Sequence, residues 1–419
     1  MKILLVNYRY FISGGPEKYM FNVKELLENN GHEVIPFSIN YSKNFESEYS
    51  KYFINPIGDR ESVYYEDIKK SPKSILQMLS RSIYSFEAKK AIQEEIVTEK
   101  PDLVYVIHFV NKLSPSIIDG AKKMGIPVVL RLSDYFLLCP RFDFIFNGEI
   151  CEDCLRKGLH SCIRKKCVKG SIFASLVRVL SMKIHKCIGV YKRVDAFIAP
   201  SVFLKNKLIE SGVSPCRIYH IPTFARTNNQ SISLGSYGLY FGRIAVEKGV
   251  ELIIKAYESL RSKQLIIMGD YSNEEGQRLV NYVNDNGINN IRFVGFKSGD
   301  EFDRIIRHAK FTIIPSVWYD NLPNAALESF KFFKPIIASN IGSLPEIVKD
   351  GYNGYLFEKG NVDDLITKIE LLDGNDVMVT EMGVNGNKTL QKSFSPEIHY
   401  NLLIDLFEKV KNIQHKTTN

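Results

Sequence analysis

The sequence predicts an α/β protein with two domains, each built around a parallel β-sheet. Short apolar runs alternate with helical segments along most of the chain, which is typical of parallel strands joined by helical crossovers. This alternation stops at a polar stretch without periodicity, 227–236, and then restarts. At 419 residues, the chain is also longer than a single hydrophobic core usually supports.

The first half of the chain predicts the strands and helices of one domain. The expected strands are KILLVN, HEVIPFS, DLVYVI, PVVLRL and DAFIAP. Helices are expected at about 16–30, up to Lys100, near 115–124, over 171–192 and in SVFLKNKLIESG. Residues 40–72 are polar and irregular, and no structure is assigned to them. This domain is expected to span 1–225, with a cysteine-rich insertion at about 134–170.

The second half repeats the pattern. The expected strands are YGLYFG, QLIIMG, IRFVGF, FTIIP and PIIAS, each separated by a helix. We expect a second domain over 236–392, and a helix in 393–419 that crosses back onto the first domain. Parallel sheets of this kind bind ligands at the carboxyl ends of their strands. Two of them in tandem therefore predict a ligand in the cleft between the domains.

The composition is that of a soluble globular protein, with 45% hydrophobic and 24% charged residues. The N-terminal apolar run is too short for a signal segment, and no run approaches the ~18 apolar residues of a membrane span. A cytoplasmic protein with mostly reduced cysteines is expected.

Positive charge is concentrated between Arg156 and Arg193, a stretch with eleven Lys or Arg and no Asp or Glu. Since the whole chain carries +8, the remainder sums to −3 (8 − 11). The stretch predicts either a solvated helix face with a basic loop, or contact with an anionic acceptor or an anionic membrane surface. Because apolar residues are interleaved with the charged ones, contact with a membrane surface remains one of the interpretations. No nucleic-acid-binding motif accompanies the charge, so no nucleic acid partner is expected.

Two turns follow strands and open helices, where an anion can bind. Gly14 and Gly15 in GGPEKYM let the backbone approach a ligand beside a helix N-terminus, although such a sequence can also be an ordinary turn. In FGRIAVEKG, Arg243 and Lys248 have the arrangement of a diphosphate clamp. The alternative is two surface cations, one of them paired with Glu247.

The segment PSVWYDNLPNAALESF carries an acid at each end of a loop and helix. Pro323 suits the first helical position, so N–H groups from Leu322 and Asn324 onward are expected to face the cleft. Asp320 and Glu328 can then accept hydrogen bonds from hydroxyls on different parts of one elongated ligand. Alternatively, Asp320 only caps the helix and Glu328 is a surface residue.

No Asp-x-Asp triplet occurs in the chain. A divalent cation that clamps a diphosphate prefers such paired carboxylates. We therefore expect Arg243 and Lys248 to neutralise the diphosphate and expect no cofactor for catalysis.

These segments together resemble family-4 retaining glycosyltransferases of the GT-B fold. The segments FGRIAVEKG, FVGF, PSVWYDNLPNAALESFKFFKPIIAS and GSLPEIVKDGYNGYLF are similar to that family's C-terminal domain, and GGPEKYM, PDLVYVIHFV and IPVVLRLSDYFLLCPR to its N-terminal domain. The resemblance implies two Rossmann-like domains that face each other across a cleft. It also implies transfer of a sugar, with retention, from a UDP- or GDP-sugar to a glycan or lipid-linked acceptor, as in surface polysaccharide biosynthesis.

The resemblance also implies roles for individual donor-side residues. Arg243 and Lys248 match the diphosphate-binding pair, and Glu328 matches the acid that binds the donor ribose. Phe296, in FVGF, matches a position beside the nucleobase. Gly15 matches the glycine whose backbone approaches the diphosphate.

Two positions depart from the family pattern. Asp320 stands where the E-x7-E motif begins with Glu, so its reach towards the sugar is one methylene shorter. Ser133 stands where many relatives carry His before Asp134, and His108 is a candidate substitute. The acceptor-side candidates are Gly14, His108, Ser133 and Asp134. These departures support one alternative, a non-catalytic sugar-nucleotide-binding protein. A second alternative is an NDP-sugar epimerase of the same fold, but we find no separate acid–base set for it.

Five cysteines lie between positions 139 and 167: Cys139, Cys151, Cys154, Cys162 and Cys167. CEDC is a C-x2-C pair, and His160 lies nearby. The spacing predicts either a structural zinc held by four of these cysteines or free thiols, with disulfides less favoured in a cytoplasmic chain.

Overall fold

The computed structural model describes residues 1–65, 67–227 and 232–418, with side chains as far as residue 413. It contains two parallel β-sheets of six strands each and a small antiparallel hairpin. The α/β fold with two Rossmann-like domains is confirmed. Part of the predicted linker, residues 228–231, lies outside the described residues.

The elements of the first domain, in chain order, are β1 Lys2–Asn7, α1 Gly15–Asn29, β2 Glu33–Phe37, α2 Pro72–Ile83, α3 Phe86–Glu99, β3 Leu103–His108, α4 Ser116–Lys123, β4 Val128–Arg131, β5 Ile145–Phe146, β6 Glu149–Ile150, α5 Asp153–Arg156, α6 His160–Arg164, α7 Ile172–Ile188, β7 Ala196–Ala199, α8 Val202–Glu210 and β8 Ile218–His220. Short 3-10 helices lie at Glu48–Tyr52, Val190–Arg193 and Pro215–Arg217. The sheet order is β2-β1-β3-β4-β7-β8.

The elements of the second half are β9 Tyr237–Phe241, α9 Val250–Ser259, β10 Leu265–Met268, α10 Glu274–Asp285, β11 Ile291–Phe293, α11 Gly299–Arg307, β12 Ala309–Ile314, α12 Asn324–Lys331, β13 Ile336–Ser339, α13 Leu344–Ile347, β14 Gly354–Phe357, α14 Val362–Asp373, α15 Asp376–Ser393 and α16 Pro396–Thr418. A 3-10 turn at Val246–Lys248 precedes α9. The sheet order is β11-β10-β9-β12-β13-β14.

Both faces of each sheet are covered, which explains the continuous apolar strands. In β1, Leu4 and Val6 pack into one hydrophobic cluster, while Ile3 and Leu5 pack into the cluster on the opposite face. In the second sheet, β9 and β12 are paired in parallel, so their carboxyl ends lie side by side. This edge carries the loops of interest.

Several predicted boundaries were wrong for identifiable reasons. The helix expected to run to Lys100 is two helices, because Ser85 starts α3 by accepting a hydrogen bond from Ala88 N. The helix expected over 171–192 ends at Ile188, where Gly189 adopts a left-handed conformation with φ of 66°. Two short edge strands, β8 and β14, were missed.

The terminal helix α16 packs on the first domain. Leu403, Leu406 and Phe407 are buried in the cluster that covers one face of the first sheet. The Phe407 ring lies 5.2 Å from the Tyr105 ring, centroid to centroid. Lys411 Nζ lies 2.6 Å from Asp102 Oδ1. Thus the chain returns from the second domain to the first.

None of the described helices combines the length and the hydropathy that a membrane crossing requires.

Candidate active site

The loops that follow β9 and β12 are joined at the edge of the second sheet. Val317 N donates to Glu247 O over 3.0 Å. Gly249 has φ of 69°, and a Cβ at this position would lie 2.1 Å from Pro315 O. Only glycine tolerates both the left-handed backbone and this close approach. The glycine therefore lets the loop that carries Lys248 lie against the loop that carries Asp320.

Lys248, which is half-buried, and Asp320, which is buried, form an ion pair. Lys248 Nζ lies 2.6 Å from Asp320 Oδ1, and Asp320 is only 4% exposed. The Ser316 hydroxyl donates to the other carboxylate oxygen of Asp320. The Lys248 ammonium also lies 5.0 Å from the centroid of the Trp318 ring. The buried carboxylate thus receives both a cation and a hydroxyl donor, which compensate for its lost contact with water.

The start of α12 differs from the prediction. The helix begins at Asn324, so Pro323 occupies the N-cap and not the first helical position. Leu322 N donates to Ser343 Oγ over 2.8 Å, so the expectation that this N–H faces a ligand was wrong. The N-cap has no side-chain hydrogen bond, and the alternative that Asp320 caps the helix was also wrong. The first two N–H groups of the helix, at Asn324 and Ala325, remain suited to an anion, whereas Ala326 N donates to Pro323 O over 3.0 Å.

The first domain meets α12 through the glycine turn. A Cβ added to Gly15 would lie 3.5 Å from Asn324 Nδ2, so this glycine faces the start of α12. One turn further along α1, Lys18 Nζ lies 2.8 Å from Glu328 Oε1. The structure therefore brings Gly15, Asn324 and Glu328 together across the domain boundary. A cavity of about 200 Å³ is lined in part by Lys18, Asn324 and Glu328.

A buried acid that the sequence reading missed supports the glycine turn. Glu17 is 1% exposed and accepts a hydrogen bond from Ser13 Oγ over 3.0 Å. Arg9 Nη1 donates to the same hydroxyl over 2.7 Å. Gly14 forms the N-cap of α1, and a Cβ there would lie 3.5 Å from Glu17 Oε2. An acid in the first helical turn was the available signal for this arrangement.

Arg243 and Phe296 lie at the rim of this region. The Arg243 side chain is 64% exposed and pairs with Glu247, as the alternative reading expected. Phe296 is 75% exposed. Neither residue belongs to the Lys248–Asp320 pair or to the Lys18–Glu328 contact.

His108 and Asp134 lie together on the first domain, with His108 Nε2 3.6 Å from Asp134 Oδ2. Burial raises the pKa of Asp134 to about 6. Burial, followed by the nearby Arg9 charge, lowers the pKa of His108 to about 4. At neutral pH the pair is therefore a neutral imidazole beside a carboxylate. Ser133, next in sequence, is half-buried.

The loop that carries Asp320 also docks on the first domain. Tyr135 OH donates to Tyr319 O over 3.1 Å, and Ser201 Oγ donates to Asn321 Oδ1 over 2.9 Å. Tyr319 OH in turn donates to Glu152 of the cysteine-rich insertion over 2.9 Å. These contacts join residues far apart in sequence, so no local pattern could have found them.

The cysteines of the insertion are free thiols in this structure. A hydrogen bond with Cys154 is the main cause that lowers the pKa of Cys162 to about 6. Lys165 Nζ lies 3.3 Å from Cys151 Sγ. Among the described residues, no three or more Cys, His, Asp or Glu side chains are placed to hold a metal ion. The zinc site gains no support from this arrangement and stays a prediction.

The comparisons with known proteins agree with this architecture. Residues 233–389 match the family model described as glycosyl transferases group 1. Over 242 residues the chain is 32% identical to the uncharacterized glycosyltransferase MJ1178 of Methanocaldococcus jannaschii, covering 57% of this chain and 63% of that protein. Over 143 residues it is 29% identical to the lipopolysaccharide 1,2-N-acetylglucosaminetransferase of Salmonella typhimurium, covering 31% and 37%. The chain thus spans less than two thirds of the length of these relatives.

Solved structures match over nearly the full length. Anabaena Alr3699/HepE in complex with UDP and glucose superimposes with a TM-score of 0.64 at 15% identity, covering 97% of this chain and 99% of that one. This likeness shows the GT-B fold. The second domain, which carries Lys248, Asp320 and Glu328, is also the part that matches the group 1 family model.

Proposed function

We propose that the protein is a retaining glycosyltransferase, which moves a sugar from a nucleoside-diphosphate sugar to a glycan or lipid-linked acceptor. The observation that carries this proposal is the Lys248–Asp320 ion pair beside the start of α12, with Gly15 facing that helix from the other domain. A cation, helical N–H groups and an accessible glycine backbone are what a diphosphate requires. The family match of the second domain supports the same reaction class.

The chemistry is electrostatic. As the anomeric C–O bond breaks, negative charge grows on the departing diphosphate, and Lys248 and the first N–H groups of α12 stabilise it. Arg243 would join them by leaving Glu247. The acceptor hydroxyl attacks from the face that the diphosphate leaves, and the leaving phosphate oxygen takes its proton. Because Asp320 accepts from Lys248 and Ser316, we assign it the positioning of Lys248.

On the donor side, Glu328 would accept hydrogen bonds from the ribose hydroxyls, as the family resemblance implies. Phe296 would lie beside the base. A relative of the same fold is known in complex with UDP and glucose, which supports a nucleotide-sugar donor. On the acceptor side, His108 and Asp134 would orient the attacking hydroxyl, with Gly14 and Ser133 as further candidates for contact with the acceptor.

The deciding experiment measures donor binding and donor fate together. A thermal-shift screen over UDP, GDP and ADP identifies the base, since a ligand that binds only the native state raises its apparent stability. The matching sugar nucleotides are then incubated with and without saccharide and lipid-linked acceptors. Release of nucleoside diphosphate with a new glycosidic bond supports the proposal. An isomerised donor would identify an epimerase, and binding without turnover would identify a non-catalytic protein.

The reaction is proposed to need no divalent cation. We expect turnover to survive EDTA, provided that the fold does, which circular dichroism monitors in parallel. Loss of turnover that only Mg²⁺ or Mn²⁺ restores, with the fold intact, would overturn the metal-independent mechanism. Loss of the fold itself, reversed by Zn²⁺, would support the structural zinc in the cysteine insertion.

We further propose that the protein works in surface polysaccharide biosynthesis on the cytoplasmic face of a membrane, attached through α7. Phe173, Leu176 and Leu180 are 68%, 48% and 48% exposed and share one face of this helix, at i, i+3 and i+7. The surrounding cations would attract anionic headgroups.

The positive electrostatic field around the basic stretch is weaker than its eleven cations alone would produce. Within the described part of the chain, at least four of its eleven cations pair with acids outside the stretch: Arg156 with Glu152, Lys157 and Lys165 with Asp153, and Arg193 with Asp119. The exposed apolar face of α7 would therefore have to provide a substantial share of any membrane affinity.

A further inference from the structure

A second cavity lies within the first domain. Its volume is about 590 Å³, within the range of small-molecule sites. It is bounded by the segment after β4, the cysteine insertion, the middle and C-terminal part of α7, and the segment that follows α8. Most of its walls are apolar, formed by Phe136, Leu138, Leu155, Met182, Phe197 and Val213 among others.

The charges that line this cavity have one sign. The lining includes Arg178, Lys186, Lys192 and Arg217, and it includes no Asp or Glu. Lys186 and Lys192 are exposed, and neither has an ion-pair partner among residues 1–65, 67–227 and 232–413. An apolar groove with a cationic rim is complementary to an amphiphile that carries a negative charge.

Arg178 gives the groove a specific anchor. It is 6% exposed, and its guanidinium donates to Phe136 O over 3.2 Å and, more weakly, to Asn111 Oδ1 over 3.4 Å. Its Nε is buried and has no hydrogen-bond partner among the described residues. Burying a cation that lacks a directly bonded carboxylate is costly, and a phosphate oxygen that reaches the guanidinium from the groove would remove much of that cost.

The groove lies between the proposed membrane face and the acceptor side of the cleft. Arg178 and Met182 lie on α7, whose exposed face carries Phe173, Leu176 and Leu180. In the other direction, Phe136 lies two residues after Asp134, and its N–H donates to Asp134 Oδ1 over 2.9 Å. A ligand that enters from a bilayer could therefore place its polar end towards His108 and Asp134.

We propose that this groove binds a single-chain lipid phosphate, with the phosphate at Arg178 and the rim lysines and the first part of the apolar chain along the Phe and Leu walls. This inference rests on the proposed glycosyl transfer, since the lipid phosphate would carry the acceptor sugar. It narrows the acceptor from any glycan to one linked to a lipid phosphate.

The test is calorimetric titration of the whole protein with farnesyl phosphate, farnesol and inorganic phosphate in the absence of vesicles. Farnesyl phosphate should bind at least tenfold more tightly than either other probe. Since Arg178 also holds Phe136 and Asn111, the decisive variants lie elsewhere: Val213→Trp, which fills the groove, and Lys186→Glu/Lys192→Glu at its rim. Each should weaken farnesyl phosphate binding at least tenfold. Lys183→Glu, an exposed residue of α7 outside the lining, should leave it unchanged.

Each arm of the test has a contrary outcome. Equal affinity for farnesyl phosphate and farnesol, or unchanged affinity in both folded groove variants, would overturn the site. Equal binding of dihexanoyl phosphatidic acid would identify a two-chain phospholipid site and overturn the single-chain assignment. Nucleoside diphosphate binding is measured on the same samples. If nucleotide binds and farnesyl phosphate does not, only this inference fails; if no nucleotide binds, the proposed function fails.

Discussion

Lys18 of the first domain and Glu328 of the second form an ion pair across the cleft, with 2.8 Å between Nζ and Oε1. The Lys18 side chain is 50% exposed and that of Glu328 is 15% exposed. Glu328 is the residue proposed to bind the donor ribose. In this structure, its carboxylate is therefore occupied by a cation that the donor would have to displace.

We predict that Lys18→Gln tightens donor binding. Removal of the competing cation frees Glu328, and a partly exposed ion pair contributes only about 0.5–1 kcal/mol, so the gain should be about two- to fivefold. Donor titration of both proteins measures it. Lys24→Gln, which removes a partly exposed lysine of the same helix paired with Glu28, is the matched control. Weaker donor binding by Lys18→Gln would mean that Lys18 itself contacts the donor.

We predict that Glu328→Ala weakens donor binding strongly while the fold stays intact. Hydrogen bonds to a charged group contribute roughly 1.5–3 kcal/mol, so the loss should be about 10- to 100-fold. Glu328→Gln retains an acceptor oxygen and should lose less. Titration calorimetry and the melting temperature are measured together. A folded Ala variant with wild-type donor affinity would reject the ribose-binding role.

Lys248→Ala should reduce turnover more than donor binding, because the charge that Lys248 meets grows only in the transition state. Removal of one preorganised donor typically costs 10²–10³ in rate, or about 2.7–4 kcal/mol. Single-turnover rates at saturating donor separate chemistry from binding. Arg243→Ala removes an exposed cation, so it should lower the melting temperature less than Lys248→Ala does. If the Lys248→Ala rate equals that of wild type, the proposed mechanism fails.

The sequence predicted the two loops of this site because they follow strands of one parallel sheet, whose carboxyl ends share an edge. It could not predict the Lys248–Asp320 pair, since that contact depends on Gly249 fitting against Pro315 O. Lys18 and Glu328 are 310 positions apart, and their pairing depends on how the domains meet. The edge strands β8 and β14 were missed because three or four residues carry little periodicity.

The donor-saturated rate should fall as the pH drops through about 6, because Asp134 becomes protonated there and can no longer orient an acceptor hydroxyl. His108, with a pKa of about 4, stays neutral throughout this range. A pH–rate profile at saturating acceptor measures this acidic limb, which is the fall in rate below about pH 6. Asp134→Asn should lower the rate and abolish that limb, whereas a profile unchanged in this variant would assign the limb to another group.

The same two groups have opposite effects on stability. The folded-state pKa of Asp134 lies above its unfolded value of about 3.9, so this group alone makes stability fall as pH rises from about 4 to 6. The folded-state pKa of His108 lies below about 6.5, so this group makes stability rise between about 4 and 6.5. Relative to wild type, Asp134→Asn should make stability rise more steeply with pH. His108→Gln should make stability rise less steeply with pH than in wild type. Denaturant unfolding at pH 4.5 and 6.5 measures both slopes.

Membrane attachment through α7 predicts a specific loss on substitution. Phe173→Glu/Leu176→Glu removes two exposed apolar side chains and adds negative charge, so co-sedimentation with anionic vesicles should fall about tenfold or more. Val377→Glu, at a 77% exposed position on α15 of the second domain, should bind as wild type does.

Higher salt should weaken the binding of the wild-type protein to vesicles, because it screens the cations. Some affinity should remain, because the apolar side chains still insert into the bilayer. If wild type fails to bind at low salt, or if the α7 variant binds as well as the Val377→Glu control, this face of α7 is ordinary solvated surface. The lipid phosphate would then have to reach the groove without the help of this helix.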